Sequence, residues 1–231
     1  MQIRANTWFL LILTIFCASC ADEIVDTGQP SPQPPHALEH AQAFRILILG
    51  DSLTEGYGVS PGDAYPHLLE EKLNANRQPG TPSFEVINGG VTGSTTSGGL
   101  SRIEWHLKSP PHLLIVALGG NDGLRGIPPS ETQKNLGKII QRAQQKNVSV
   151  LLAGMKLPPN YGPQYTKKFH NIFPKLADEH GLPLLPFLLQ GVGGNPHMNL
   201  PDRIHPNAAG HQLICETVYQ FLLPNLPNFS K

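Results

Sequence analysis

Short apolar runs alternate with helix-length segments along most of this 231-residue chain. The first run, residues 44–49, carries a single charge, which is typical of a strand buried on both faces. Runs of strand length predict strands at 45–49, 84–88, 113–118, 148–153 and 183–185. The segments between and after them predict helices at 65–76, 96–106, 129–146, 164–179 and 207–222.

This alternation predicts an α/β fold, because a strand that follows a helical crossover usually returns parallel to the strand before it. We expect a three-layer α/β/α sandwich with a parallel sheet of about five strands and helices on both faces. Pro129 fits the first turn of its helix and Asn207 fits an N-cap. The sequence has no internal repeat and no second linker, so it indicates one domain over 43–226 and a tail at 227–231.

The N-terminal segment has the composition of an export signal. Arg4 supplies a positive charge, residues 8–16 are mostly apolar, and the region around 17–21 is rich in small residues. The apolar run is too short to span a bilayer as a stable anchor. We therefore predict a signal peptide over residues 1–20.

Two cleavage routes are open for this signal. An ordinary signal peptidase could cut near Cys20 or Ala21, or Cys20 could end a bacterial lipoprotein box and be lipidated, although Cys17 stands where that box usually has Leu. Residues 21–42 are rich in Pro and predict a semi-rigid tether, which favours the lipoprotein. Either route predicts an exported protein, in the bacterial periplasm or anchored to a membrane.

Composition excludes several function classes. The chain has 17 basic and 17 acidic side chains and a net charge of zero, so neither a nucleic-acid surface nor a polybasic membrane patch is indicated. Phosphate-binding glycine loops are absent from the sequence, which argues against a nucleotide site. Cys215 is the one cysteine outside the signal region, and its apolar neighbours predict a buried side chain rather than a catalytic thiol.

Polar, glycine-rich loops follow the first three predicted strands. These loops are 50–52, 88–94 and 119–123. Because the carboxyl ends of parallel strands meet at one edge of the sheet, we expect Ser52, Gly93 and Asn121 to lie near one another. The backbone N–H groups of Ser52 and Gly93 and the Asn121 amide could then form an oxyanion hole. The alternative is that the glycines only make turns, while Ser52 and Asn121 cap helices.

A base for the Ser52 hydroxyl is suggested by Asp202 and His205, because a spacing of three residues lets one loop present both side chains. The carboxylate can hold the imidazole through Nδ1 while Nε2 faces the serine. The alternative is that Asp202 caps a turn and His205 lies on the surface. A metal site of His197, His205 and His211 has no supporting motif, so neither a metal nor a cofactor is predicted.

Taken together, the segments around Ser52, Gly93, Asn121 and His205 resemble the four blocks of the GDSL or SGNH hydrolase family, and Asp202 falls on the aspartate of its last block. The resemblance is strongest to the bacterial thioesterase, lysophospholipase and arylesterase subgroup, on the evidence of stretches 48–58, 118–126 and 157–162. Two places depart from the family pattern: Arg203 stands where glycine is common, and Gly89, Gly90 and Ser94 alter the second block.

The resemblance implies a flavodoxin-like sheet and a serine esterase or thioesterase. Ser52 would be the nucleophile, His205 the base and Asp202 its partner, acting on acyl esters, thioesters or lysophospholipid-like molecules without a cofactor. An apolar groove for the acyl chain is expected beside the serine. Its candidate lining residues are Leu53, Leu124, Ile127, Leu157, Pro158 and Met198. The alternatives are a glycan O-acetyl esterase with the same triad and a non-catalytic envelope lipoprotein, and no oligomer is implied.

Overall fold

The computed structural model describes residues 43–229. The strands in this range, β1 to β5, are Phe44–Gly50, Phe84–Gly90, Leu113–Ala117, Ser149–Ala153 and Leu184–Leu185. The α-helices of the same range, α1 to α8, are Ser52–Glu55, Tyr65–Ala75, Thr96–His106, Gly120–Leu124, Pro129–Gln144, Pro163–His170, Ile172–His180 and Ala208–Leu222. The predicted signal peptide, its Cys20 and the tether at 21–42 lie outside the described residues.

The strands form one parallel sheet in the order β2-β1-β3-β4-β5. Helix α2 packs against α8, whereas α3 packs against α5 and α5 against α7. These two groups of helices cover the opposite faces of the sheet. The predicted α/β class and the five-stranded parallel sheet are therefore confirmed.

The apolar runs of β1 and β3 reflect their central position. Ile46 and Ile48 of β1 and Leu114 and Val116 of β3 have no exposed surface, as expected for strands covered on both faces. Helix α5 instead buries one stripe, and the spacing of its buried residues places them on one face of the helix. Those residues are Leu136, Ile139, Ile140 and Ala143.

One predicted helix is divided in two. Residues 164–179 form α6 and α7, which meet at Asn171. Pro174 has no N–H to donate to the preceding turn, so it cannot lie inside a continuous helix but is tolerated in the first turn of a new one. The short helices α1 and α4, which begin just after β1 and β3, were not predicted because four or five residues are too few to show a helical period.

The strand order creates a crevice at the carboxyl edge of the sheet. From β1 the chain runs outward to β2 and then crosses back over β1 to reach β3, so the loops after β1 and β3 lead away from each other. Open α/β sheets bind their ligands at such a switch point. Ser52 follows β1 and Asn121 follows β3, so both lie at this crevice.

The two ends of the described chain meet at the opposite edge. Phe229, in the predicted tail, packs its ring edge against Phe44 at 5.3 Å and against Phe84 at 5.9 Å. Phe44 and Phe84 are the first residues of β1 and β2.

Within residues 43–229, none of the helices has the length and apolar character needed to cross a membrane.

Candidate active site

Ser52 begins helix α1 directly after the sheet, with only 7% of its surface exposed. The cap of this helix is Asp51, whose Oδ1 accepts from the Leu53 N–H at 3.1 Å, so the Ser52 hydroxyl is not used as a cap. Gly50 makes the abrupt turn possible, because a Cβ there would lie 1.9 Å from the Thr54 hydroxyl. The hydroxyl of Ser52 is thereby left to face the crevice.

A chain of hydrogen bonds joins Ser52 to the loop before α8. His205 Nε2 lies 3.0 Å from Ser52 Oγ, and His205 Nδ1 lies 2.7 Å from Asp202 Oδ2. The Asp202 carboxylate can only accept, so Nδ1 carries the proton and Nε2 is free to accept from the serine hydroxyl. This is the arrangement in which a histidine removes a proton from a serine.

Asp202 also organises the turn that carries His205. Its Oδ1 accepts from the backbone N–H groups of Ile204, at 2.9 Å, and His205, at 3.0 Å. These bonds, the one from the His205 backbone above all, lower the pKa of Asp202 to about 2 and keep it ionised. The two sequence interpretations of Asp202 are therefore compatible: one oxygen caps a turn while the other holds the imidazole.

A buried carboxyl group lies behind Ser52. Asp51 is 1% exposed, and burial raises its pKa to about 6. Its Oδ2 accepts a bond from the Asn121 amide at 3.3 Å. The Asn121 amide is thus held by one of its two N–H groups and can turn the other towards the crevice. Asn121 does not cap α4, since the N-cap position of that helix is Gly119.

Gly93 lies in the loop between β2 and α3. Its φ of +74° is a left-handed value that favours glycine, and it falls in a turn closed by a 3.0 Å bond from the Ser94 N–H to the Val91 carbonyl. Within the part of the chain that the structure describes, the N–H groups of Gly93 and Ser52 have no protein acceptor. Both are available to a substrate oxygen.

Comparison with known proteins identifies the family. Residues 48–213 match the sequence model of the GDSL-like Lipase/Acylhydrolase family. The chain belongs to this family. The hydrolase is 40% identical to thioesterase 1/protease 1/lysophospholipase L1 of Escherichia coli over 185 residues, which are 80% of this chain and 86% of that protein.

Two further relatives agree. Esterase TesA of Pseudomonas aeruginosa is 36% identical over 189 residues, covering 81% of the hydrolase and 92% of the relative. The crystal structure of the psychrotrophic esterase EstA from Pseudoalteromonas sp. is 32% identical and has a TM-score of 0.75, covering 80% of the hydrolase and all of that chain. The family resemblance found in the sequence is confirmed, and the hydrolase is a carboxylic ester hydrolase of the esterase and thioesterase type.

A cavity of about 550 Å³ opens beside Ser52 and His205. Four of the six side chains predicted for the groove line it, namely Leu53, Leu124, Leu157 and Pro158. Further apolar side chains line it that were not predicted from the sequence, namely Met155, Pro159, Phe187, Leu189 and Ile204. Met155 and Phe187 lie two residues after the ends of β4 and β5. The carboxyl ends of all five parallel strands meet at the same edge, so the positions of these two residues after their strands are the signal that could have predicted them.

Three of the residues predicted for the groove and the oxyanion hole do not line this cavity. Met198 packs against the hydrophobic core beneath the turn at Pro196–Met198. Ile127 is placed by backbone bonds, since its N–H donates to the Asp122 carbonyl at 3.0 Å and its carbonyl accepts from Tyr165 at 2.8 Å. Gly93 lies outside the lining, and its carbonyl accepts from Arg125 at 2.9 Å.

The three histidines considered as metal ligands lie in different surroundings. His211 is fully buried, its Nδ1 accepts from the Tyr65 N–H at 3.3 Å, and burial lowers its pKa to about 4. His197 is exposed, and His205 bonds to Ser52. Across residues 43–229, no three His, Cys, Asp or Glu side chains are grouped so as to hold a metal ion.

Buried Cys215 is a free thiol whose pKa is raised by burial to about 11, which suits a core residue.

Proposed function

We propose that the hydrolase cleaves acyl esters and thioesters through Ser52, His205 and Asp202. His205 Nε2 takes the hydroxyl proton as Ser52 Oγ attacks the carbonyl carbon, and Asp202 stabilises the imidazolium that forms. The same proton passes to the departing alcohol or thiol, which leaves an acyl group on Ser52. Water then attacks this acyl group with His205 as base and releases the acid. The 3.0 Å and 2.7 Å contacts of His205 are the observation that carries this proposal.

The oxyanion formed in each step would be stabilised by three donors. These are the N–H groups of Ser52 and Gly93 and the free N–H of the Asn121 amide. All three lie at the carboxyl ends of adjacent strands, and neither backbone donor has an acceptor among the described residues. Donors fixed before the reaction stabilise the transition state without reorganisation.

The cavity favours a substrate that has an apolar acyl chain and a negatively charged group beyond the ester. Its wall is largely apolar, but Lys156 and Arg203 also line it. Neither cation forms an ion pair with a carboxylate in the described part of the chain, although Lys156 lies 5.0 Å from the centre of the Phe187 ring. Free cations at the entrance would attract a substrate with an anionic head. We therefore place lysophospholipid-like esters among the substrates.

Export of the hydrolase is a separate proposal that rests on the sequence alone. Residues 1–20 have the composition of a signal peptide, and the Pro-rich residues 21–42 suit a tether behind a lipidated Cys20. Mass spectrometry of the mature N-terminus from a bacterial membrane fraction tests it. An N-terminal diacylglyceryl cysteine at position 20 is expected, whereas an unmodified N-terminus near residue 21 or 22 would show ordinary cleavage.

The central experiment measures p-nitrophenyl butyrate hydrolysis by the wild type and by Ser52→Ala. Wild-type turnover and a folded, inactive variant are expected. Equal activity of the two proteins would exclude Ser52 as nucleophile. Two folded but inert proteins would exclude simple acyl esters and favour glycan O-acetyl esters or a binding role. The substrate class is tested by comparing a neutral monoacylglycerol with an anionic lysophosphatidylglycerol of the same acyl chain.

A further inference from the structure

The side chain of Arg102 connects three segments at the carboxyl edge of the sheet. From helix α3 its Nη2 donates to the Gly50 carbonyl at 2.5 Å and to the Gly89 carbonyl at 3.2 Å. Its Nη1 donates to Ser94 Oγ at 2.6 Å. One guanidinium therefore holds the end of β1, the end of β2 and the loop between β2 and α3.

These contacts lie next to both backbone donors of the proposed oxyanion hole. Gly50 is two residues before Ser52, and Ser94 is the residue after Gly93. Strand pairing fixes the ends of β1 and β2, where Gly50 pairs with Gly90, but it does not extend to Gly93. The position of the Gly93 N–H relative to Ser52 depends on what holds the loop.

Other side chains hold the outside of this loop. Glu55 accepts from the Thr92 N–H at 2.5 Å, and Arg125 donates to the Gly93 carbonyl at 2.9 Å, both in exposed surroundings. Arg102 differs from them because it lies under the loop and is partly buried, with an Nε atom that is fully buried. Water competes less with a charge-assisted bond in that position.

We propose that Arg102 is a positioning residue that sets the distance between the Ser52 and Gly93 N–H groups. The proposal rests on the function proposed above. A planar guanidinium suits this task, since it directs several N–H groups in fixed directions, whereas a lysine offers a compact, flexible ammonium. Arg102 reaches the reaction only through the backbone, so it does not touch the substrate.

A displaced oxyanion donor weakens binding of the transition state more than binding of the ester. Misplacement by about 1 Å can cost about 100-fold in rate. Arg102→Gln should therefore lower kcat by about 10-fold to 100-fold with KM changed less than about threefold. Arg102→Lys should recover only part of that loss. Ser94→Ala, which removes one of the three acceptors, should lower kcat by a smaller factor.

Arg142→Gln is the matched control. Like Arg102, Arg142 donates to a backbone carbonyl, that of Leu100 in α3 at 3.2 Å. It also forms an exposed ion pair with Glu104, and it does not line the cavity. This variant should keep wild-type kcat and KM. Thermal unfolding of all variants separates loss of fold from loss of positioning.

The experiment measures kcat and KM for p-nitrophenyl butyrate and the rate of inactivation by a p-nitrophenyl phosphonate, which also places an oxyanion at the site. Parallel falls in kcat and in the inactivation rate for Arg102→Gln support the proposal. An unchanged kcat in a folded Arg102→Gln protein, or a rise in KM alone, overturns it. If that variant does not fold, wild-type kcat in Ser94→Ala overturns the proposal. Inactivity of the wild type itself would instead contradict the proposed function.

Discussion

The Asn121 amide is bonded to the buried carboxyl group of Asp51, 3.3 Å away, while the neighbouring Ser52 is bonded to His205. Asp51 thus has two roles: Oδ2 accepts from the Asn121 amide, and Oδ1 caps the helix that Ser52 begins. The amide can be held with one N–H towards the carboxylate and the other towards the crevice. This contact sets the orientation of a side chain that the sequence shows only as an asparagine in a glycine-rich loop.

Asn121→Ala should lower kcat by about 100-fold to 1,000-fold with little change in KM, as is typical for the loss of one oxyanion donor. Steady-state kinetics with p-nitrophenyl butyrate measure this effect. Asp51→Asn keeps a capping oxygen but replaces the charged acceptor of the Asn121 amide, so it should also lower kcat. Because the two residues act as one unit, the double variant should be little worse than Asn121→Ala alone. Additive losses would show that Asp51 acts independently of Asn121.

Stability should depend on pH through two opposing buried groups. The pKa of Asp51 rises from 3.8 to about 6 on folding, so between these values the folded chain retains a proton that the unfolded chain releases, and Asp51 makes stability fall as pH rises. The pKa of His211 falls from 6.5 to about 4, so between these values the unfolded chain binds the extra proton and His211 makes stability rise with pH.

The two contributions should largely cancel in the wild type between about pH 4 and 6. Asp51→Asn removes the falling contribution, so its stability should rise with pH over this range, by about 3 kcal/mol relative to the wild type. Urea unfolding at several pH values, with both proteins measured in parallel, gives this difference directly. A pH-independent difference between the two proteins would contradict the raised pKa of Asp51.

Arg203 has a φ of +61° in the turn between Asp202 and His205, a conformation that costs a non-glycine residue about 1 kcal/mol. Arg203→Gly relieves this strain and removes a cation from the cavity entrance. The variant should be as stable as the wild type or more so, and lose kcat/KM for lysophosphatidylglycerol but not for the neutral monoacylglycerol. Arg203→Lys restores the charge and should restore the preference. An equal loss for both substrates in Arg203→Gly would mean that the residue shapes the turn rather than selecting the head group.

Leu157 should contribute to acyl-chain preference. It lines the cavity and packs against Gly123, where a Cβ would meet its side chain at 2.4 Å. Leu157→Ala should lower kcat/KM for long-chain p-nitrophenyl esters by about 10-fold and leave the acetate nearly unchanged, since lost apolar contacts matter only to chains that reach them. Ile127→Ala is the control, because Ile127 was predicted for the groove but does not line the cavity, and it should leave the ratio of long to short esters unchanged.

The layout of the fold could be predicted because the apolar run of each central strand is followed directly by a glycine, Gly50 after the run of β1 and Gly119 after the run of β3. The positions of Ser52 and Asn121 just after β1 and β3 predicted that they lie at one edge, and the spacing of Asp202 and His205 suggested the base. In the structure His205 contacts Ser52, and Asn121 contacts Asp51 beside it. Prediction from the sequence failed where tertiary packing decides a side chain's surroundings: Ile127 and Leu157 are equally apolar in the sequence, but only Leu157 turns to the cavity. Arg102 was missed for the same reason, since a charge on a helix usually points to solvent.

The packing of Phe229 against Phe44 and Phe84 determines where the folded unit can be attached to a support or to another protein. The chain enters and leaves the folded unit at the amino edge of the sheet. The crevice lies at the other end of β1, about 20 Å away for a strand of seven residues. A bead or a fusion partner joined at residue 43 or at residue 229 would lie at the edge of the sheet opposite the crevice. Immobilisation through either end should therefore preserve turnover.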